Sequence, residues 1–172
     1  MRKANIIFGG ILILELILIP SCSAFAGPTC IAWEFNADGD SEGWQIGQSV
    51  TLEVLDGKLT GNITQPGGYW VGPDNLNIDA SVYKSLEIKY RVDSLEASDV
   101  AYFYWIKTDD PQFGNNKRVK FDIQTNNTWQ DMSVDLSQSV NWNSVITGVR
   151  LAPVLFSDFN TAVDYDYIRL CK

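Results

Sequence analysis

The sequence predicts an all-β protein, a single antiparallel β-sandwich of the jelly-roll kind. Three observations carry this. Apolar residues recur with period two over most of the chain beyond residue 30, the spacing of strands with one buried face. Gly, Pro, Asn and Asp cluster between those runs, where turns need them. No segment carries a convincing amphipathic helix, and only residues 77–85 have room for one helical turn. Such a pattern leaves one solvated face per sheet. There is no internal repeat, low-complexity tract or linker, so one domain spans residues 27–172.

The elements follow in order. IAWEF at residues 31–35 is the first strand, and NADGDSEG after it is a polar loop. VTLEVL and KLTGNI flank Asp56-Gly57, a strong hairpin signal. YWVG is a short strand bounded by glycine and proline. In LEIKYRV, Leu86, Ile88, Tyr90 and Val92 share one face and Glu87, Lys89 and Arg91 the other. VAYFYWIK comes next. RVKFDI turns Val119, Phe121 and Ile123 inward, and WQDMSVDL aligns Met132, Val134 and Leu136. ITGVRLAPV and AVDYDYIRL close the chain, giving about ten strands.

The first 26 residues stand apart. Arg2 and Lys3 precede an apolar stretch from Ile6 to Ile19, broken only by Glu15, and Ala24-Phe25-Ala26 supplies a small-x-small cleavage site. This reads as a secretory signal peptide, residues 1–26. A second reading takes Ile19-Pro20-Ser21-Cys22 as a lipobox, with a lipidated Cys22 anchoring the domain to a membrane. Both place the domain outside the cytoplasm: secreted, periplasmic or on the cell envelope. Both also leave Cys30 and Cys171 at the two ends of the domain. An even pair in an exported chain predicts a disulfide.

Charge and composition exclude several functions. The formal net charge is −8 and the chain has no histidine. Losing residues 1–26 makes the charge −9. Nucleic-acid binding needs a basic footprint that is missing. Polyanionic ligands are disfavoured by the sum, although a local basic patch would override it. Histidine-dependent nucleophiles and metal sites are ruled out. Outside the polar loop of Asp38, Asp40 and Glu42, Asp109-Asp110 and Asp164/Asp166 are the close carboxylate pairs, and the first reads as a turn. The chain is expected not to be an enzyme.

WEFNADGDSEGW, near the start of the domain, resembles the opening strand and loop of bacterial carbohydrate-binding modules with the galactose-binding-like jelly-roll fold. VDYDYIRL is similar to their last strand. YFYWIKTDD, TWQDMSVDLS and ITGVRLAP fall where such modules carry comparable strands. The likeness runs from Trp33 to Leu170. It implies a non-catalytic module that binds a polysaccharide or glycan. It also implies a structural calcium, with Glu34, Asp56 and Asp166 at the matching positions. Calcium takes six to eight oxygens, so carbonyls and amides would have to complete the shell. An EF-hand in the early loop is excluded, because Ser41 stands where glycine is needed and Gly47 where the bidentate acid should be.

The candidate ligand surface starts from AYFYW, residues 101–105. Strand alternation puts Tyr102 and Tyr104 on one side and Phe103 and Trp105 on the other. Either pair is large enough to be core. With Phe103 and Trp105 inside, the two phenols become a platform for the apolar faces of sugars. Lys107 and Arg150 would supply hydrogen-bonding groups beside it. Tyr69-Trp70, between glycines and Gly-Pro, reads as a loop-edge aromatic pair. Trp142 lies between two asparagines. Replacing Tyr104 by alanine should then lower affinity with little effect on the melting temperature. The rival reading is a structural or adhesive envelope protein that binds a protein partner.

Overall fold

The computed structural model describes residues 29–156 and 161–172, with the backbone alone for 95–98. The expected signal peptide and Cys22 lie outside the described residues. The described residues form eleven strands: β1 (Cys30–Trp33), β2 (Gln45–Gln48), β3 (Glu53–Leu55), β4 (Lys58–Asn62), β5 (Tyr69–Val71), β6 (Ile78–Asp79), β7 (Ser85–Lys107), β8 (Arg118–Asn126), β9 (Gln130–Asp135), β10 (Val145–Ala152) and β11 (Ala162–Cys171). Their pairings are all antiparallel. A single 3-10 turn follows β9, capped by the Asp135 side chain.

Strand β7 organises the molecule. Its first part pairs with β9 and β11, and its second part with β8 and β10. The sequence divides this stretch into two strands, but the structure runs it through as one of 23 residues. The register shifts between Asp93 and Ser98. Side-chain parity shifts with it. Leu86, Ile88, Tyr90 and Val92 are buried before the irregularity, and Ala101, Phe103 and Trp105 after it. An odd insertion in a period-two chain must swap its faces. One strand thus serves two layers, with β1, β3, β4, β9 and β11 in the first and β2, β5, β6, β8 and β10 in the second.

The inner faces of the layers meet in an aromatic core. Trp70 of β5 lies edge-on to Tyr165 of β11, with ring centroids 5.9 Å apart. Trp105 meets Trp142 at 5.0 Å and Trp33 meets Trp44 at 5.5 Å, both nearly perpendicular. Edge-to-face geometry satisfies the ring quadrupoles, and truncating any one such ring costs roughly 3–5 kcal/mol. Burial also raises the Tyr165 phenol far above its usual range.

Two local expectations are met directly. Asp56 and Gly57 both take positive φ, 53° and 71°, and join β3 to β4 in a two-residue hairpin. Cys30 and Cys171 face each other in the β1–β11 ladder and form a disulfide. This bond closes a loop with a sequence separation of 141.

Candidate functional site

The two parts of AYFYW separate as alternation requires. Phe103 and Trp105 are fully buried in the core, and Tyr102 and Tyr104 lie on the outer face of the second layer. Sheet register then assembles a row across five strands. Arg150 of β10 is opposite Tyr104, and so is Arg118 of β8 on the other side. Val71 of β5 is opposite Arg150, and Gln45 of β2 opposite Val71. In the neighbouring row Lys120 and Ala152 flank Tyr102. Directly opposed residues share a face, so this surface is built from strand pairing rather than from loops.

The tyrosines are not bare. The Arg150 guanidinium lies 3.9 Å from the Tyr104 ring centroid and 4.5 Å from that of Tyr69. Arg118 sits 4.2 Å from Tyr102 and 5.7 Å from Tyr104, and its Nη1 donates to the Tyr104 hydroxyl at 3.1 Å. Tyr102 and Tyr104 are themselves 5.9 Å apart and tilted by 43°. Tyr104 consequently keeps only 8% of its surface. The expectation that it is an open platform is corrected: it is a pedestal beneath two arginines, and its truncation will cost stability. Tyr102 stays half-buried and borders solvent.

Glycine and a loop complete the face. A Cβ on Gly47 would stand 2.2 Å from Tyr69 Cε2. Only a residue without a side chain lets that ring lie down over β2, where the register already shifts. The loop between β7 and β8 places Phe113 4.9 Å from Arg150. That loop is pinned by Lys117, a buried side chain whose ammonium donates to the Asp110 carbonyl and pairs with its carboxylate. The bond from the ammonium to the carboxylate holds the Asp110 carboxyl below its usual range. Beyond Ile106 the face opens into a cleft of about 440 Å³, lined also by Asp74, Asn75, Leu76 and Thr147.

Of the residues expected to touch ligand, Tyr69, Tyr102, Tyr104 and Arg150 converge here. Trp70 does not. It is fully buried in the core and donates to the Thr51 carbonyl at 2.9 Å. Trp142 is buried against Trp105 and donates to the Tyr83 carbonyl at 2.8 Å. Lys107 has the inward parity of Trp105 and bonds Asn143 Oδ1 at 2.9 Å, with Asp109 3.7 Å away. Arg118 and Phe113 are the additions. The alternation in RVKFDI places Arg118 outward, but its pairing with Tyr104 is a matter of register.

The residues named for calcium do not fit one. Glu34 forms a two-pronged pair with Arg169, at 2.7 and 2.9 Å. Asp166 accepts from Lys89 at 2.8 Å. Asp56 is exposed on the hairpin turn, 3.9 Å from Lys58. Each carboxylate answers a cation of the chain instead of sharing an ion. Among the described residues, the one grouping of ligating atoms is Cys30, Glu87 and Cys171, whose sulfurs are joined to each other.

The outer face of the first layer has another character. Arg91 pairs with Asp164, Lys89 with Asp166 and Arg169 with Glu34. Hydrogen bonds to the carboxylates raise the affinity of Lys89 and Arg169 for their protons. Trp129, 39% exposed, rests against Arg91 and Lys89 at 5.1 and 5.6 Å. A cleft of about 210 Å³ beside it is lined by Arg91, Asp93, Asn127, Ala162 and Asp164.

The fold is a β-sandwich similar to those of carbohydrate-binding modules and of an adhesin domain. A mutant of the family 29 module CBM29-2 matches with a TM-score of 0.55 at 12% identity, over 83% of this chain and 91% of that one. CBM28, a module specific for non-crystalline cellulose, matches with a TM-score of 0.55 at 13% identity, over 78% and 89%. A cleaved adhesin domain of Lys-gingipain from Porphyromonas gingivalis matches with 0.54 at 12%, over 83% and 98%. No protein-family model matches the sequence, and no curated protein matches it.

Proposed function

We propose that the chain is an exported, non-catalytic carbohydrate-binding module whose ligand surface is the outer face of the second layer. The observation that carries this is the cluster of Tyr69, Arg150, Tyr104, Tyr102 and Arg118: strand register sets Arg150 and Arg118 on either side of Tyr104, and ring contacts bring in Tyr69 and Tyr102. Flat rings and flat guanidiniums offer apolar and hydrogen-bonding surface together, the combination that sugar rings need. Tyr102 is the ring edge that a ligand meets. The cleft past Ile106 adds the amide of Asn75 and the hydroxyl of Thr147 for sugar hydroxyls.

The carboxylates support a binding role over a hydrolytic one. Asp110, Asp164 and Asp166 are each engaged by a cation. A glycosidic general acid needs a raised pKa instead. Export rests on the N-terminal signal and on the disulfide, which an oxidising compartment preserves. The adhesin-domain neighbour favours a second reading, an envelope protein that binds a protein partner through the same sandwich.

Affinity electrophoresis against a panel of soluble polysaccharides tests the proposal. One or more should retard the protein, and Tyr102→Ala should weaken that by about tenfold, the size of one stacking contact. Retardation that Tyr102→Ala leaves intact would move the site elsewhere. Retardation by none of them, together with co-purification of a protein, would favour the adhesive reading.

A further inference from the structure

The arginines on this face are the exception in an acidic chain. The formal net charge is −8, so carboxylates are in surplus. Arg91 and Arg169, on the other layer, each pair with one. Among the described residues, Arg118 and Arg150 pair with none. Among the described residues the Arg150 side chain has no hydrogen-bond partner, and its Nε is shut off from solvent. Arg118 gives one, to the neutral Tyr104 hydroxyl. Lys120, exposed and opposite Tyr102, adds a third positive charge to the row. Acids stand at the ends of the face, Asp122 two residues past Lys120 and Asp74 on the cleft beyond Ile106.

Stacking makes these cations a receptor. A guanidinium lying on a ring is held in plane, and its N–H edge stays available for an acceptor. That edge matches carboxylate and sulfate oxygens as a fork, and the ring beneath removes much of the ordering cost. Burying an unpaired charge against sugar hydroxyls alone would be unfavourable. Resting on the carbohydrate reading above, we infer that the ligand of this face is an anionic glycan, its carboxylate or sulfate groups gripped by Arg150 and Arg118. The local patch thus overrides the repulsion that the net charge would impose.

The test compares charged polymers with their neutral twins by calorimetry in about 0.1 M salt. Polygalacturonate is set against its carboxyl-reduced form, and dextran sulfate against dextran, which separates carboxylate from sulfate. One charged member should bind at least about tenfold tighter than its twin, as one charge-assisted fork provides. Arg150→Gln should abolish that preference and Arg118→Gln should reduce it, with thermal melts confirming that both variants fold. Lys84→Gln, an exposed lysine away from the face, should leave it intact. Equal binding of both twins, retention of neutral polysaccharides only, or equal losses in Lys84→Gln and Arg150→Gln would overturn the anionic inference and leave the glycan reading standing. Failure to bind any polysaccharide would overturn both.

Discussion

The two outer faces of the sandwich are made from the same strand, β7, and solve the problem of charge in opposite ways. On the first layer, Lys89 and Arg91 face carboxylates of β11, so the charges cancel within the protein. On the second layer, Arg118 and Arg150 face tyrosines, so the charges are held in place but not cancelled. Cross-strand ion pairs fix register and keep a surface soluble. Arginines stacked on rings and lacking counter-charges are poised for something from outside. The contrast separates a face whose charges are answered within the fold from the face proposed to meet a ligand.

The largest effect should come from the staple on the self-neutralised layer. Reducing Cys30–Cys171 releases a loop that spans nearly the whole domain, and the chain-entropy model gives about 5 kcal/mol. Urea unfolding with and without reductant measures it. A midpoint that does not move would mean that the β1–β11 ladder holds without its clasp.

Tyr104→Ala should rank next, at roughly 2–4 kcal/mol, because an 8% exposed ring leaves a cavity and frees both arginines. Glycan binding should fall with it. Stability unchanged in the same urea titration would restore the view of Tyr104 as a simple surface platform.

Asp164→Ala should cost less, about 1–3 kcal/mol. Asp164 is buried, but Arg91 keeps 35% of its side chain in solvent and can rehydrate. Binding on the opposite face should be untouched. A loss of affinity without a loss of stability would show that the paired face is the ligand site after all.

Trp129→Ala should do least, under about 1 kcal/mol, since an exposed ring loses only its cation contacts. It is also the sharpest probe of the comparison. Trp129 rests against Arg91, which lines the cleft with Asp93 and Asn127, so weakened retardation in this variant alone would exchange the roles of the two faces.

Much of the fold was legible because it depends on local period. Leu86 to Val92 alternate visibly, Asp56-Gly57 announces its turn, and the two cysteines beyond residue 26 have one partner each. The junction inside β7 was not legible. Residues 93–98 look like a break, and only pairing with β8 and β11 on either side turns them into a bend. The site was half legible for a related reason. Aromatic residue types at positions 69, 102 and 104 and the arginine at 150 are visible in a string, and parity assigns the two tyrosines of β7 to one face. Trp70 and Trp142 share that composition but lie inside.

By itself, then, the chain determined its strands, its hairpin, its cross-link and the division of AYFYW into two sides, because each follows from neighbours in sequence or from the count of cysteines. Tertiary structure alone decided which partner each charge receives. Glu34 and Asp166 went to Arg169 and Lys89 rather than to a shared calcium, and Arg118 and Arg150 went to Tyr104. Those outcomes depend on which strands lie adjacent and in what register, and a long-range electrostatic pairing leaves no trace in the spacing of residues along the chain.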